Sequence, residues 1–443
     1  MDSTSPCSVP VRGWGRLLGP ALALGLLFAW LLAVPLSGPV LARSSAPSLG
    51  ALTAAQAFAL VHGLSLLALG VWTLWRPLAS VTRWAGAVTA MFGLLLAVAP
   101  TSWWPFLLLG AGVTAAGSVL AVATSIAHLP WEGRPWAIAL GAGLANVLLY
   151  VASLPEHPVP DRPLAAVLAL GPLALPFLLG PRPWEDKGFF SLEKSFVALV
   201  VTAFCAYLVG GLMYSLILPA LGQLGLRIGV LPYMALLPAA AWTANLWGRN
   251  WAIRRGLALL GVGFMIWALA QGAGREVAAQ GLVVGGFAFL DVPFWAAFAD
   301  QGGRPSASFG LGLGAMMMAI FAGMALGDNW AAALQGREEE AALVAGMCLF
   351  LATTLVPHLW QVEEQTDTST FAPEARNGFG LSRREAQVVA LAIRGLTNKE
   401  IAKTLGLSEG TVRKHLERTY RKLRVRGRVE ALSLLYRQKQ PEA

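Results

Sequence analysis

The sequence predicts an all-α protein in two parts: a bundle of twelve membrane-spanning helices, arranged as six and six, and a small cytoplasmic domain of four short helices. Of the 443 residues, 56% are hydrophobic and 13% are charged, against about 25% charged residues in soluble domains. The mean hydropathy is +0.60. The charge is also uneven, because residues 381–443 hold fifteen Lys or Arg and six Asp or Glu, whereas the first 380 residues hold eighteen of each.

The larger part of the chain is predicted to lie in a membrane. A helix of about 20 apolar residues crosses the hydrocarbon core of a bilayer, and twelve apolar runs approach or exceed that length. The predicted spans are residues 17–36, 52–75, 84–100, 103–127, 136–154, 163–180, 196–220, 229–248, 256–272, 277–299, 307–333 and 341–360. The polar stretch PRPWEDKGFFSLEKS after the sixth span divides them into two halves. We interpret residues 1–16 as a cytoplasmic N-terminus and 17–360 as the membrane domain.

The basic residues of the loops predict the orientation. With the N-terminus in the cytoplasm, twelve Lys or Arg fall on the inner side and five on the outer side, as the positive-inside rule requires. The first apolar run is long and has no clear small-residue cleavage site, so we interpret it as a span and not as a signal peptide. We expect a multi-pass protein of the inner (plasma) membrane, in contact with lipid, with both termini cytoplasmic.

Polar side chains inside spans are costly and often mark sites. Asp291, in GFAFLDVPFW, lies well inside the tenth span. It either lines a central cavity and binds a cationic group or a proton, or it caps a kink or pairs with a polar neighbour on another helix. His62 and Asn146 are the other tentative residues of a ligand cavity, although such residues are more often interhelical hydrogen-bonding groups. The same alternatives hold for Gln56, Tyr150 and Asn245, whereas Asp328, nearer the outer end, is expected to cap a kink or to pair with a polar neighbour.

Motifs for catalysis, metals or cofactors do not occur in the sequence. Cys7, Cys205 and Cys348 lie far apart and form neither a CxxC motif nor a Cys/His cluster. Paired carboxylates, a Ser/His/Asp set and HExxH do not occur either. The glycines of FGLGLGAMMMAIFAGMALG follow no strand, so they are more typical of close helix packing than of a nucleotide loop. The sequence therefore predicts no enzyme, no metal site and no cofactor.

The C-terminal part begins with a predicted tether. Residues 361–378, QVEEQTDTSTFAPEARNG, are polar and without periodicity, which is typical of a flexible linker. Residues 379–443 then form a domain in which Ser382 and Glu385 make a capping box, as do Thr397 and Glu400, and Ser408 caps a third helix. A fourth short helix covers about 427–437. The predicted buried stripes are Val388, Leu391 and Ala392; Ile401, Ala402 and Leu405; and Val412, Leu416, Thr419 or Tyr420, and Leu423.

Two short helices joined by a tight turn, the second basic on one face, predict a helix-turn-helix. The start of the second helix enters the major groove of DNA in such motifs, which places Thr411, Arg413 and Lys414 at base edges or flanking phosphates and Lys399 at a phosphate. The exposed face of this helix carries Arg413, Lys414, Glu417, Arg418, Arg421 and Lys422. The alternative is a solvated face that binds anionic lipid or a protein, and the spacing favours DNA.

Four motifs of this domain resemble the LuxR-type DNA-binding domain over about residues 379–437. They are LSRRE, GLTNKEIA, LGLSEGTVRKH and RKLRVRGRVEA. The resemblance implies that Lys399, Thr411 and His415 lie at or near the DNA backbone and that Arg413, Lys414 and Glu417 face the groove; Arg418 and Arg421 complete the predicted DNA-binding set. Glu417 departs from many relatives, and its carboxylate could accept a hydrogen bond from cytosine N4. The resemblance also implies a homodimer on double-stranded DNA, formed by Val429, Leu432 and Leu435.

The twelve spans with a central cytoplasmic loop resemble the major facilitator superfamily. The family's loop signature, in which Gly and Asp precede clustered Arg, is poorly kept: WRPLASVTRW and GRNWAIRRG have the arginines without the acid. The two resemblances together indicate a membrane-anchored one-component transcriptional regulator, in which the membrane domain senses an unknown small ligand and the C-terminal domain binds DNA. The alternative is an active secondary transporter with an attached regulatory DNA-binding tail.

Overall fold

The structure is a computed structural model that divides the chain into two compact units, Met1–Pro357 and His358–Ala443. It describes residues 14–36, 38–43, 48–76, 81–154, 161–180, 190, 192–223, 229–301, 303–333, 340, 342–355, 380–393, 398–405, 407–423, 425, 427 and 431. The described residues are nearly all helical and contain no β-structure beyond an isolated bridge between Leu49 and Leu52. The predicted linker and most of the fourth C-terminal helix lie outside them.

Long apolar runs, in which the backbone hydrogen bonds are satisfied within each segment, form the helices of the larger unit. Its helices are α1 (Trp14–Ala33), α2 (Pro39–Arg43), α3 (Ala54–Trp72), α4 (Val81–Val98), α5 (Trp104–Ala127), α6 (Gly133–Ser153), α7 (Asp161–Leu173), α8 (Leu175–Leu179), α9 (Lys194–Gln223), α10 (Leu231–Leu246), α11 (Arg249–Leu269), α12 (Ala273–Asp300), α13 (Pro305–Ala333) and α14 (Ala342–Leu355). A short 3-10 turn, Thr101–Trp103, precedes α5.

Every predicted span contains a helix. Among the described residues, nine helical segments are long and apolar enough to cross a membrane. The helices of the third, eighth and twelfth predicted spans are shorter: the apolar parts Trp84–Val98 and Ala342–Leu355, and Leu231–Leu246 with 16 residues. The sixth span is interrupted between α7 and α8, where Pro172 and Pro176 flank the break, because proline lacks the amide that continues a helix. Nine of the twelve predicted spans are therefore confirmed at full length among the described residues.

The two halves of the larger unit, α1–α8 and α9–α14, meet where α3 packs against α13 and α6 packs against α10. Glycines permit the first of these contacts. A Cβ atom on Gly310 would lie 2.4 Å from the Cα of Gly70, so the two backbones touch directly. The predicted role of this glycine run in close packing is confirmed, and the run is one continuous helix. Helix α1 begins at one end of the bundle, where Leu17 packs against Leu129. We call this end the proximal end and the opposite end the distal end.

The C-terminal unit contains α15 (Arg383–Ile393), α16 (Asn398–Leu405) and α17 (Glu409–Leu423). The predicted apolar stripes are confirmed, since one side of each helix is buried in a shared core. One cluster holds Val388, Leu391, Ala392, Ile401, Ala402, Val412 and Leu416, and the other holds Leu381, Ala386, Val389, Leu423 and Ala431. The helical spacing predicts Thr419 or Tyr420 at one buried position of α17; Thr419 is fully buried and Tyr420 is half-buried. The capping box at Ser382 and Glu385 is also confirmed, whereas Thr397 lies outside the described residues.

Candidate functional site

The outer face of α17 is a strip of charged side chains. Lys422, at the border of the strip, is exposed but paired with Glu385. The other five exposed members are Arg413, Lys414, Glu417, Arg418 and Arg421. At 100° per residue they cover an arc of about 140° of the helix, opposite the buried side formed by Val412, Leu416, Thr419 and Leu423. Four of the five carry positive charge, so the face has the sign that attracts phosphate. Because packing holds only the opposite side, these side chains are free to reach a ligand.

The start of α17 adds polar groups to one edge of this strip. The Ser408 Oγ accepts from the Thr411 backbone amide at 3.2 Å, and the two hydroxyl oxygens are 2.8 Å apart. Helix N-termini attract anions because free amides and the helix dipole point outward there. His415 is half-buried one turn further on, and its Nδ1 is buried without a hydrogen-bond partner among the described residues. The predicted Lys399 is the second residue of α16.

Lys422 has a structural role that its sequence position did not reveal, since helical spacing had placed it on the free basic face. Its Nζ contacts the Glu385 carboxylate at 2.6 Å and donates to the Gly380 carbonyl at 3.2 Å. Glu385 is thus shared between the cap of α15 and the last turn of α17. Burial raises the pKa of the Glu385 carboxyl, but hydrogen bonds from Lys422 and Ser382 outweigh it and hold the pKa below its ordinary value. Lys422 therefore stabilises the domain and fixes α17 against α15.

A cavity of about 670 Å³ lies between the two halves of the larger unit. Asp291, on α12, is part of its lining. Tyr207 on α9 donates to one carboxylate oxygen of Asp291, and Tyr233 on α10 donates to the other at 2.6 Å. Both interpretations offered by the sequence therefore describe part of the arrangement, since Asp291 faces the cavity and also pairs with polar neighbours on other helices.

The other two tentative cavity residues, His62 and Asn146, also line this cavity. The His62 Nδ1 lies 2.9 Å from the Gly112 carbonyl oxygen, and since a carbonyl only accepts, Nδ1 carries a proton. The Asn146 Nδ2 donates to Ala142 within its own helix at 2.8 Å. Tyr150 lines the cavity too.

Two further polar residues that the sequence offered for the cavity, Gln56 and Asn245, are not among its lining residues. The Gln56 side chain closes a capping box with Thr53 and donates to Asp328 at 2.7 Å, the pairing expected for that acid. Asn245 donates to the Glu132 carbonyl at 2.9 Å, near the proximal end. Sequence alone could not separate these roles, because all the candidates are polar groups within or beside apolar helices.

The cavity is open to the distal end and closed at the proximal end. Gly38, Leu154 and Gly229, which lie beyond the distal ends of α1, α6 and α9, are among its lining residues. At the proximal end, the Asp300 carboxylate binds Arg134 of the first half and Arg249 of the second, the latter at 3.2 Å. We call these three residues the proximal latch.

Backbone acceptors strengthen the latch. Arg249 donates to the Trp131 carbonyl of the first half at 3.0 Å, and its guanidinium lies 5.1 Å from the centre of the Trp131 ring. Arg134 donates in the opposite direction, to the Ala299 carbonyl of the second half at 3.2 Å. A short distance away, Arg304 donates to the Thr73 and Leu74 carbonyls at 2.8 and 2.7 Å. Bonds in both directions hold the halves together at this end.

Comparison with known proteins gives independent information on the smaller unit. Residues 380–435 match the model of the family described as bacterial regulatory proteins, luxR family. The spore germination protein GerE of Bacillus subtilis (strain 168) is 44% identical over 57 residues, which are 13% of this chain and 77% of GerE. The nitrate/nitrite response regulator protein NarP of Escherichia coli (strain K12) is 44% identical over 59 residues, 13% of this chain and 27% of NarP. The chain also spans only 28% of the relative YhjB of the same organism and 50% of one from Aeromonas salmonicida.

The larger unit resembles solved transporters. The human organic anion transporter MFSD10 superposes with a TM-score of 0.58 at 15% identity, over 80% of this chain and 100% of that one. The major facilitator superfamily transporter FucP, in the outward conformation, gives 0.60 at 12% identity, over 78% of this chain and 99% of that one. Identities this low establish the fold and nothing further.

Fold and sites together define a membrane protein of transporter-like, major facilitator architecture that carries a helix-turn-helix regulator domain. Through that C-terminal domain, the chain belongs to the luxR family of bacterial regulatory proteins. The predicted dimer residues Val429, Leu432 and Leu435 lie outside the described residues, so the pairing of two such domains stays a prediction.

Proposed function

We propose that the protein is a one-component transcriptional regulator held in the inner membrane, with both termini in the cytoplasm, which binds double-stranded DNA through α17. The observation that carries the proposal is the exposed basic face of α17 on a luxR-family core. That face has no packing role, and four of its five side chains are positive. Nucleic acid is the partner that such a strip on a helix-turn-helix attracts.

In this proposal the residues divide into two roles. Arg413 and Lys414 donate to base edges in the major groove, where bidentate contacts with guanine are the commonest specific contacts. Thr411 and His415, on the edge of the strip, and Lys399 at the start of α16 contact the phosphate backbone, which positions the helix. Arg418 and Arg421 add positive charge along the same face. Glu417 favours cytosine, because its carboxylate can only accept.

A single domain of this size makes few DNA contacts, so we propose that two chains bind together as a homodimer on a two-fold site. Pairing through Val429, Leu432 and Leu435 would give the second domain a high effective concentration. A small ligand in the membrane cavity would then regulate the protein by favouring one arrangement of the two halves. Such control requires that the ligand bind one state more tightly than the other.

The test uses the full chain in lipid nanodiscs and fragments of the genome that encodes it. Wild-type protein is expected to retain a discrete set of fragments at physiological salt. The double variant Arg413→Ala/Lys414→Ala removes two base contacts, each worth about 1–3 kcal/mol, and is expected to weaken retention about 30-fold or more. Arg384→Ala is the matched control, since Arg384 is also exposed but lies on α15 beside Gln387. Equal retention by the double variant and the wild type would refute the assignment of α17.

Active secondary transport is the second candidate, and the cavity with its half-buried Asp291 carboxylate favours it. Proteoliposomes containing the full chain would be tested for counterflow of labelled amines, sugars and carboxylates. A sensor without transport activity is expected to give no exchange above empty liposomes. Robust uptake would establish the transporter alternative, with the DNA-binding domain as an attached regulatory tail.

A further inference from the structure

The charge of the cavity is the starting point for naming its ligand. Asp291 is the one acid among the described lining residues, and none of those residues is Lys or Arg. An anionic ligand would meet the Asp291 carboxylate without a cation to offset it. A buried charge is costly unless a partner compensates it, so the cavity itself favours a positive group.

The hydrogen bonds of Asp291 leave it able to bind such a group. Tyr207 and Tyr233 donate to different oxygens of the carboxylate, which fixes its plane and accounts for one acceptor position on each oxygen. A carboxylate offers about four acceptor positions, so each oxygen can take a further donor. The two tyrosine hydroxyls are neutral, and the negative charge therefore has no ionic partner among the described residues lining the cavity.

The walls of the cavity suit an apolar molecule with delocalised or shielded charge. Phe28 and Trp295 meet edge to face, with ring centres 5.5 Å apart, and Phe287 lies against Tyr207 at the same distance. All four rings line the cavity, and aromatic faces attract organic cations. Only two side-chain amides are among the lining residues; Asn146 donates to Ala142 and Gln280 donates to Gly229, while the Gln280 Oε1 has no partner among the described residues. A sugar would need many more free polar partners.

We propose that the cavity binds a lipophilic organic cation: a drug-sized molecule that carries one positive charge, set against Asp291 and enclosed by aromatic rings. The cavity volume of about 670 Å³ lies within the range of about 300–1,000 Å³ that is typical of sites for such molecules. This proposal rests on the proposed function in one respect, because the cation would be the ligand that the regulator senses.

The experiment measures saturation binding of labelled tetraphenylphosphonium to the full chain in nanodiscs, with empty nanodiscs subtracted. Labelled tetraphenylborate, which has nearly the same shape and the opposite charge, is measured in a separate, parallel experiment. We expect saturable binding of the cation and no saturable binding of the anion. Because the two ligands differ in the sign of their charge and are compared on the wild-type protein, the result does not depend on the folding of a variant. Absence of saturable cation binding, or equally tight binding of the anion, would overturn the proposal.

Asp291→Asn, which keeps the size of the side chain, is expected to weaken tetraphenylphosphonium binding at least about tenfold, since it removes one partner of a buried charge pair. Asp328→Asn is the matched control: Asp328 is on α13, exposed, bound to Gln56 and not part of the lining. It is expected to bind as the wild type does. Unchanged binding by a monodisperse Asp291→Asn protein would show that the carboxylate is not the site.

Fragment retention by the same nanodiscs, with and without tetraphenylphosphonium, separates this proposal from the proposed function. Binding that depends on Asp291 without any effect on DNA retention would support the cation site and contradict the sensing role. Normal DNA retention by a protein that does not bind the cation would support the DNA-binding role and overturn the cation site.

Discussion

The proximal latch lies at the closed end of the cavity, and Asp300 is its central residue because it contacts both arginines. The Asp300 carboxylate accepts from Arg134 across the boundary between the halves and from Arg249 beside it. Asp300→Asn removes the negative charge and keeps the size of the side chain. Both arginines would then lack their anion, and we expect the proximal end to open more often.

The size of the effect follows from the burial of the three groups. The side chains of Arg249, Arg134 and Asp300 are 6%, 17% and 27% exposed, so water screens their attraction only in part. Hydrogen bonds to charged groups contribute about 1.5–3 kcal/mol each, but both arginines retain carbonyl acceptors, such as Leu129 and Ala244. We therefore expect a net loss of about 2 kcal/mol, which changes the ratio of closed to open states about 30-fold.

The assay measures the distance between two spin labels at the proximal end by pulsed electron paramagnetic resonance. Glu132→Cys and Leu246→Cys place the labels on opposite halves at exposed positions, in a chain without its native cysteines. Asp300→Asn is expected to add a longer-distance population that the parent protein lacks. Asp328→Asn, an acid at the distal end, is the control and is expected to leave the distances unchanged. Superimposable distributions for Asp300→Asn and its parent would refute the role of the latch.

Two further predictions concern stability. Lys422→Ala is expected to lower the free energy of unfolding of the C-terminal domain by about 1 kcal/mol. The pKa of Glu385 is lowered in the folded domain. The stabilisation by Lys422 is therefore present above the ordinary carboxyl pKa, and it is lost as the pH falls through the lowered pKa. Chemical denaturation from pH 7 to pH 3 checks this, and a difference between variant and wild type that persists in acid would contradict it. Gly310→Ala is expected to lower the melting temperature of the membrane unit, since its Cβ would lie 2.4 Å from the Gly70 Cα and such overpacking costs about 1–3 kcal/mol. Gly281→Ala, whose Cβ would meet nothing within 4 Å, is the matched control, and equal melting temperatures for the two variants would argue against the close contact.

The parts of the fold that depend on local pattern could be predicted from the sequence. The apolar runs indicated the helices of the bundle, and the 3.6-residue spacing of Val412, Leu416 and Leu423 indicated the buried side of α17. The Ser382 and Glu385 capping box is likewise a short-range signal. The break in the sixth span was not predicted, although Pro172 and Pro176 were available as its cause.

The contacts between residues far apart in the chain could not be predicted from the sequence. Asp291 was a candidate because an acid in a span is rare, but its tyrosine partners lie 84 and 58 residues away. The latch was missed for the same reason, since Arg134 and Asp300 are 166 residues apart and each alone is typical of a loop. Lys422 was assigned to the basic face because helical spacing gives the direction of a side chain and not the element packed against it.

Chromatin immunoprecipitation followed by sequencing, in cells that make the full chain at its natural level, tests the central claim most directly. We expect a discrete set of enriched sites with two-fold symmetry, lost in the Arg413→Ala/Lys414→Ala protein and kept in the Arg384→Ala protein. Enrichment that does not exceed background, or the same sites in the double variant, would contradict the claim that this membrane protein regulates genes by binding DNA through α17.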